Sequence, residues 1–277
     1  MKNISLLFLA LLFSTIISAQ ELDSQKHLTT SRLSSVISRL DISPENDSYR
    51  YSPKMNLIKI NLTGIPIRNY SGQYERVLNK VISVGLSYRN MPEGNLPFKK
   101  QILNSIDDND TESKHIVNNF RLSNYAITPE IRFYFGKKGY GQGFYIAPFY
   151  RNAGYEGSNF DVEYTDDNNN NQIISLSGDI KSNTFGVLFG AQWSLGKCLV
   201  LDWWILGPHI GGAKGSLIGN SSRALSEADQ ADIKQILDDF DIPLVNKEVI
   251  VNTNSAEMNL DGIFGGLRAG ITFGIKF

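Results

Sequence analysis

Side chains able to do acid–base or nucleophilic chemistry are few and far apart. Histidine stands at positions 27, 115 and 209, and the one cysteine is Cys198. Acyl transfer or hydrolysis needs a nucleophile, a base and an orienting group within hydrogen-bond reach of one another. His209 has no Ser within two residues, Ser216 and Ser221 stand well beyond it, His27 precedes the patterned part of the chain and His115 falls in a polar stretch. A lone cysteine cannot build a disulfide framework, and Cys198 is expected to be reduced and inert. The run Asp166-Asp167-Asn168-Asn169-Asn170-Asn171 offers oxygen ligands of the kind calcium takes, but it lacks the Gly and closing Glu of a hand-type loop. A solvated loop tip is expected there, with cation binding left open. No catalytic, metal or cofactor site is assigned.

A different set of charges carries a pattern. Lys59, Glu75, Arg89, Glu130, Arg132, Arg151, Asp202 and Arg268 all fall on the polar parity of segments in which apolar residues recur at every second position. Ile58, Ile60 and Leu62 alternate with Lys59, Asn61 and Thr63, and Ile131, Phe133 and Phe135 with Glu130, Arg132 and Tyr134. Period two is that of a strand with one apolar face. Eight strands follow, over 55–64, 69–78, 81–90, 122–135, 143–153, 181–195, 198–211 and 262–277. Tight turns at 79–80, 136–142 and 196–197 alternate with a short link at 65–68 and long loops at 91–121, 154–180 and 212–261. In the last loop, Ser226 ahead of Glu227 and Asp229, with Ile233, Ile236, Leu237 and Phe240 at helical spacing, predicts a capped amphipathic helix. It would lie across the barrel mouth with its apolar stripe inward, or serve adhesion or partner binding.

The start of the chain points to export. Lys2, an apolar run over 4–17 and then Ser18-Ala19-Gln20 have the layout of a cleavable signal peptide over 1–19. Residues 20–52 are polar, with Leu33, Val36, Ile37 and Leu40 spaced for a short amphipathic helix, which leaves 53–277 for the strands. No later apolar run is long enough for a transmembrane helix. Loss of Lys2 with the leader leaves 26 basic against 28 acidic residues, a balance that argues against a nucleic-acid binder.

Secretion and alternation together leave a soluble barrel or a membrane barrel, and the two faces decide between them. Tyr70, Tyr74, Tyr88, Phe133, Phe135, Phe144, Trp203, Phe273 and Phe277 all stand on the apolar parity, mostly near strand ends, as the aromatic girdles of an outer-membrane barrel do. On the polar parity, Gly186, Gly190, Gly266, Gly270 and Gly274 interleave with the charges. Glycines on a water-facing surface would serve no packing purpose, whereas inside a narrow barrel they make room for long neighbours. Charges in such an interior need partners. Glu75, Glu130 and Asp202 are therefore expected to meet Arg89, Arg132 and Arg268 in an interior ion-pair network. Eight strands enclose a space that side chains just fill, which conflicts with a small-solute channel.

The C-terminal strand, with Arg268, Gly270, Phe273, Ile275 and a final Phe277, resembles the signal read by the outer-membrane insertion machinery. The opening segment 55–89, with Lys59-Ile60-Asn61-Leu62 and Gly72-Gln73-Tyr74-Glu75-Arg76, resembles uncharacterised outer-membrane β-barrel families common in Bacteroidota. The stretches 129–135, 143–151 and 201–211 are similar to later strands of that group. This resemblance implies a closed antiparallel transmembrane barrel in the cell outer membrane, in contact with its lipid, with short periplasmic turns and long extracellular loops. It implies no activity. The expectation is thus a non-enzymatic structural or interaction protein whose loops meet a partner outside the cell. A lipid A deacylase or acyltransferase is the alternative from another class, which a His-Ser-carboxylate group at the outer rim would favour.

Overall fold

The computed structural model describes residues 54–166, 170–239 and 244–277. The expected leader, the helix within 20–52, residues 167–169 of the Asp/Asn run, and Phe240 lie outside them. Nine antiparallel strands form one sheet: β1 (Asn56–Asn61), β2 (Tyr70–Val77), β3 (Ile82–Asn95), β4 (Arg121–Phe135), β5 (Gly143–Thr165), β6 (Asn171–Leu195), β7 (Leu199–Asn220), β8 (Val245–Asn252) and β9 (Ser255–Lys276). Each strand from β1 to β7 pairs with the next, β7 pairs with β9, and β9 returns to β1 through Leu57 opposite Lys276 and Ile60 opposite Phe273. Eight strands therefore close a ring. β8 stands outside it, paired to the N-terminal half of β9.

The two ends of this barrel are unlike. At the base lie the tight connections and both ends of the closed sheet, where Asn56 and Phe277 exchange backbone hydrogen bonds. At the opposite end, the crown, β5, β6, β7 and β9 run well beyond the expected strand ends. Most of 154–180 and much of 212–261, expected as loops, is strand, with β5 ending at Thr165 and β6 starting at Asn171. Three helices fill the crown: α1 (Lys99–Ser105), α2 (Thr111–Asn119) and α3 (Glu227–Asp238).

The reason for the longer strands is legible on β6, which runs without a break in register parity from 174 to 192. On its outer face Ser175, Ser177, Asp179, Lys181 and Asn183 are followed by Phe185, Val187, Phe189, Trp193 and Leu195, all exposed. On its inner face the order is reversed: Ile174 and Leu176 are fully buried at the crown, and Ser182, Thr184 and Gln192 are buried lower down. The apolar face changes sides near 183. β7 and β9 do the same, with exposed Lys214 and Asp261 above exposed Ile210 and Ile263. A search for one continuous apolar parity ends each strand at this crossover. On β5 a bulge at 158–159, with Asn159 at φ +58°, adds a shift of parity.

Above the crossover the inward apolar residues make a second core. Phe160, Val162, Ile174, Leu176 and Met258 from the strands pack with Ile116 and Val117 of α2 and Ile233 and Leu237 of α3. α3 forms the expected capping box: the Ser226 hydroxyl accepts from Asp229 N at 3.1 Å, and the Asp229 carboxylate accepts from Ser226 N at 3.0 Å. Lys247 of β8 closes the other end, donating to the Leu237 and Asp238 carbonyls at 2.7 Å, where the helix dipole favours a cation. The crown is thus a folded module and not a set of loops. Leu176→Ala should cost it about 2–5 kcal/mol, seen as faster proteolysis within 221–254. The gel shift on heating that marks a closed barrel should persist.

Candidate functional site: the charged interior

Within the ring, below the crown core, the inward side chains form three layers. The lowest is apolar, with Leu57, Val77 and Val200 in contact and Met55 against them. The 136–142 turn folds in beneath the barrel: Gly141 O accepts from Gln192 Nε2 at 2.7 Å, and Tyr140 O from Lys276 Nζ at 3.2 Å.

The second layer is an ion-pair network. Lys59 Nζ donates to Glu75 Oε2 at 2.6 Å and to Asp202 Oδ2 at 2.8 Å. Arg132 donates through Nη1 to Asp202 Oδ2 at 2.8 Å and through Nε to Glu130 Oε1 at 2.5 Å. Arg268 Nη1 bonds the other Glu130 oxygen, Oε2. Three cations thus meet three carboxylates, so the layer is neutral, which is the condition on which a charged interior is tolerable. Neutral groups take up the remaining valences. Glu75 Oε1 accepts from the Tyr134 hydroxyl at 2.7 Å and Ser83 Oγ at 2.6 Å, and Asp202 Oδ1 from the Tyr145 hydroxyl at 2.8 Å. The guanidinium of Arg132 lies 4.3 Å from the centre of the Tyr145 ring, and that of Arg268 4.0 Å from the centre of the Trp204 ring. Glycine gives these fillers their space: a Cβ at Gly190 would lie 2.3 Å from the Tyr145 ring.

The structure therefore brings together Glu75, Glu130, Arg132, Asp202 and Arg268 of the expected network and leaves out Arg89. Its place is taken by Lys59, which stands on the same parity. The amide carriers Gln73 and Gln192 were not anticipated as members. Gln73 links Arg132 Nη2 at 2.9 Å to Glu130 at 2.8 Å, and Gln192 Oε1 accepts from Lys59 Nζ at 2.8 Å. Only their inward parity marked them.

Arg89 belongs to the third layer, between the network and the crown core, with Arg151 and His209. Nε and Nη2 of both arginines and Nδ1 of His209 are buried without a hydrogen-bond partner among the described residues. His209 packs edge-on to Phe149, with ring centres 6.0 Å apart. His115, in the crown, has Nε2 3.3 Å from Asp161 Oδ2. Ser216 and Ser221 are near neither histidine in any hydrogen bond of the described residues. Gly270, Phe273 and Ile275 lie along the end of β9 that closes the ring and Phe277 follows directly after it; Ile275 and Phe277 are both exposed.

No family model and no curated protein matches the chain. Among solved structures it is weakly similar to CarO2 of Acinetobacter baumannii, at 14% identity and a TM-score of 0.33 over 76% of this chain and 98% of that one. It is also similar to the translocator domain of the autotransporter NalP from Neisseria meningitidis, at 11% identity and a TM-score of 0.29 over 95% of this chain and 100% of that one.

The network and the third layer should respond oppositely to loss of a charge. Glu130→Ala strands Arg268 and takes from Arg132 one of its carboxylates, and it should cost roughly 3–5 kcal/mol, read as a lower urea midpoint in micelles. Arg89→Ala breaks no ion pair and, in phosphate-free buffer, should leave the midpoint unchanged or raise it.

Proposed function

We propose that this chain is an integral outer-membrane protein, a closed barrel that carries a rigid folded crown outside the cell and has no enzymatic role. The observation that carries this reading is the double change of polarity along β6, β7 and β9. A strand in water needs one apolar face, turned inward. A strand in lipid needs its outward face apolar and can hold polar groups only inside, paired. The lower parts of these strands obey the second rule and the upper parts the first. The exposed apolar stretch of β6 covers 185–195, ten steps of about 3.3 Å at a tilt of about 45°, or roughly 23 Å, close to the apolar band of about 25 Å that such barrels present to lipid.

The orientation is inferred from the short turns at one end and from the leader expected over 1–19. The base faces the periplasm, where the short turns lie, and the crown faces outward. Phe273, Ile275 and Phe277 then face lipid on the strand that the insertion machinery would read, with Gly270 behind them. The crown supplies the interaction surface, and because α1, α2 and α3 share one core with the strands, it would present a preformed face and not flexible loops. The layered interior supports a barrel that conducts little: an apolar plug, a neutral network and an apolar crown core are stacked across the described interior.

Purified protein in a planar bilayer should show no steady open state. A reproducible conductance comparable with that of a general porin would overturn the sealed-barrel reading.

A further inference from the structure

The third layer is the part of the interior whose charges do not close. Arg89 and Arg151 carry two positive charges with no ion pair among the described residues, and Tyr155 meets Arg151 through a side-chain hydrogen bond. Arg151 is 6% exposed. In each the free atoms are Nε and Nη2, the side-on edge of the guanidinium that grips two oxygens of one anion. Both side chains, with Arg268 and the hydroxyls of Ser71 and Thr128, line a cavity of about 60 Å³, several times what a single water requires. Ala126, the β4 partner of Arg89, also lines it and leaves the space open.

The cavity also reaches the wall of the barrel. β9 pairs with β8 as far as Gly262 and with β1 from Thr272, and backbone bonds from Ile263 to Leu244 and from Leu62 to Ile271 mark the limits of the gap. Between them, residues 264–270 have a strand neighbour only on the β7 side among the described residues. The 62–69 connection borders this notch, held up by Arg68, whose Nη2 donates to Asn95 O at 2.6 Å. Gly64, Ile67, Leu267 and Ala269 on its two sides belong to the cavity lining. The notch sits at the level of Leu62 and Ile263, the upper limit of the exposed apolar belt. It opens where lipid headgroups would lie.

We propose that Arg89 and Arg151 form a binding site for a tetrahedral oxyanion of the phosphate class, entered sideways through the notch between the 62–69 connection and β9. Two side-on guanidinium edges offer four N–H donors to the oxygens of one anion, and their two positive charges match a phosphate dianion, where a carboxylate would bring a single negative charge. The group would arrive as free phosphate or as the phosphomonoester head of a lipid in the outer leaflet.

Folded protein in uncharged micelles is the material for the test, and the temperature of its heat-induced gel shift the readout. At equal ionic strength, inorganic phosphate should raise that temperature over chloride by about 2–4 °C at saturation. Arg89→Gln/Arg151→Gln and the cavity-filling Ala126→Leu should abolish the rise. A rise with inorganic phosphate identifies a free anion as sufficient. A rise only when phosphatidic acid is mixed into the micelles identifies the lipid headgroup as the source. No rise with either, an equal rise with chloride, or a rise retained in the double variant would overturn the site. Should the variants fail to refold, phosphorus NMR of phosphate titrated with the wild-type protein decides: protein-dependent line broadening in chloride buffer supports the site, and unbroadened lines for both phosphate and phosphatidic acid contradict it.

Discussion

A β-strand has two faces, and each face must suit what it touches at every point along its length. In this chain the outside changes from apolar to polar between Phe185 and Lys181 of β6, and the inside changes in the opposite sense between Ser182 and Leu176. The rest of the structure depends on that coincidence. Below it, polar groups can face only inward, so they must be gathered and paired. Above it, apolar groups face inward, and helices must cover what the strands alone would leave open. The same continuous strands build both regions, so no linker is needed to hold the crown in place.

The charged interior illustrates how narrow the permitted solutions are. Lys59, Arg132 and Arg268 balance Glu75, Glu130 and Asp202, and nearly every remaining lone pair and N–H in that layer is met by Tyr134, Tyr145, Gln73, Gln192 or Ser83. Buried pairing of this kind adds little net stability over an apolar core, but a missing partner is costly. The network therefore acts mainly as a specification of register, because a slip of one residue in β1, β2 or β4 would turn Lys59, Glu75 or Arg132 outward and leave its partners without a countercharge. Against that completeness, Arg89 and Arg151, which have no ion pair among the described residues, are conspicuous.

Much of this architecture was readable from residue order, and the misses have physical causes. Alternation at 58–62, 82–89 and 130–135 located strands correctly because there the apolar parity stays on one side. It ended β5, β6, β7 and β9 too early because Phe160, Ile174 and Met258 stand on the side opposite to the one being tracked, and glycines at 211, 212 and 215 thin the pattern of β7. Ser226 and Asp229 announced α3 through their capping chemistry, whereas α1 has no side-chain cap to announce it. Parity placed the network residues inside but could not order them by height, so Arg89 was grouped with carboxylates that lie below it. Height depends on strand tilt and stagger, which residue spacing does not encode.

The central claim, that the polarity crossover marks the surface of a membrane, can be read along one strand. Nitroxide labels placed singly at 175, 177, 179, 181, 185, 187, 189, 193 and 195 of β6, in a Cys198→Ser background and in lipid vesicles, report contact with oxygen, which concentrates in lipid, against a polar nickel complex, which stays in water. The account predicts water-like accessibility from 175 through 181 and lipid-like accessibility from 185 through 195, with the change between 181 and 185. Water-like accessibility at 187 and 189 would contradict it.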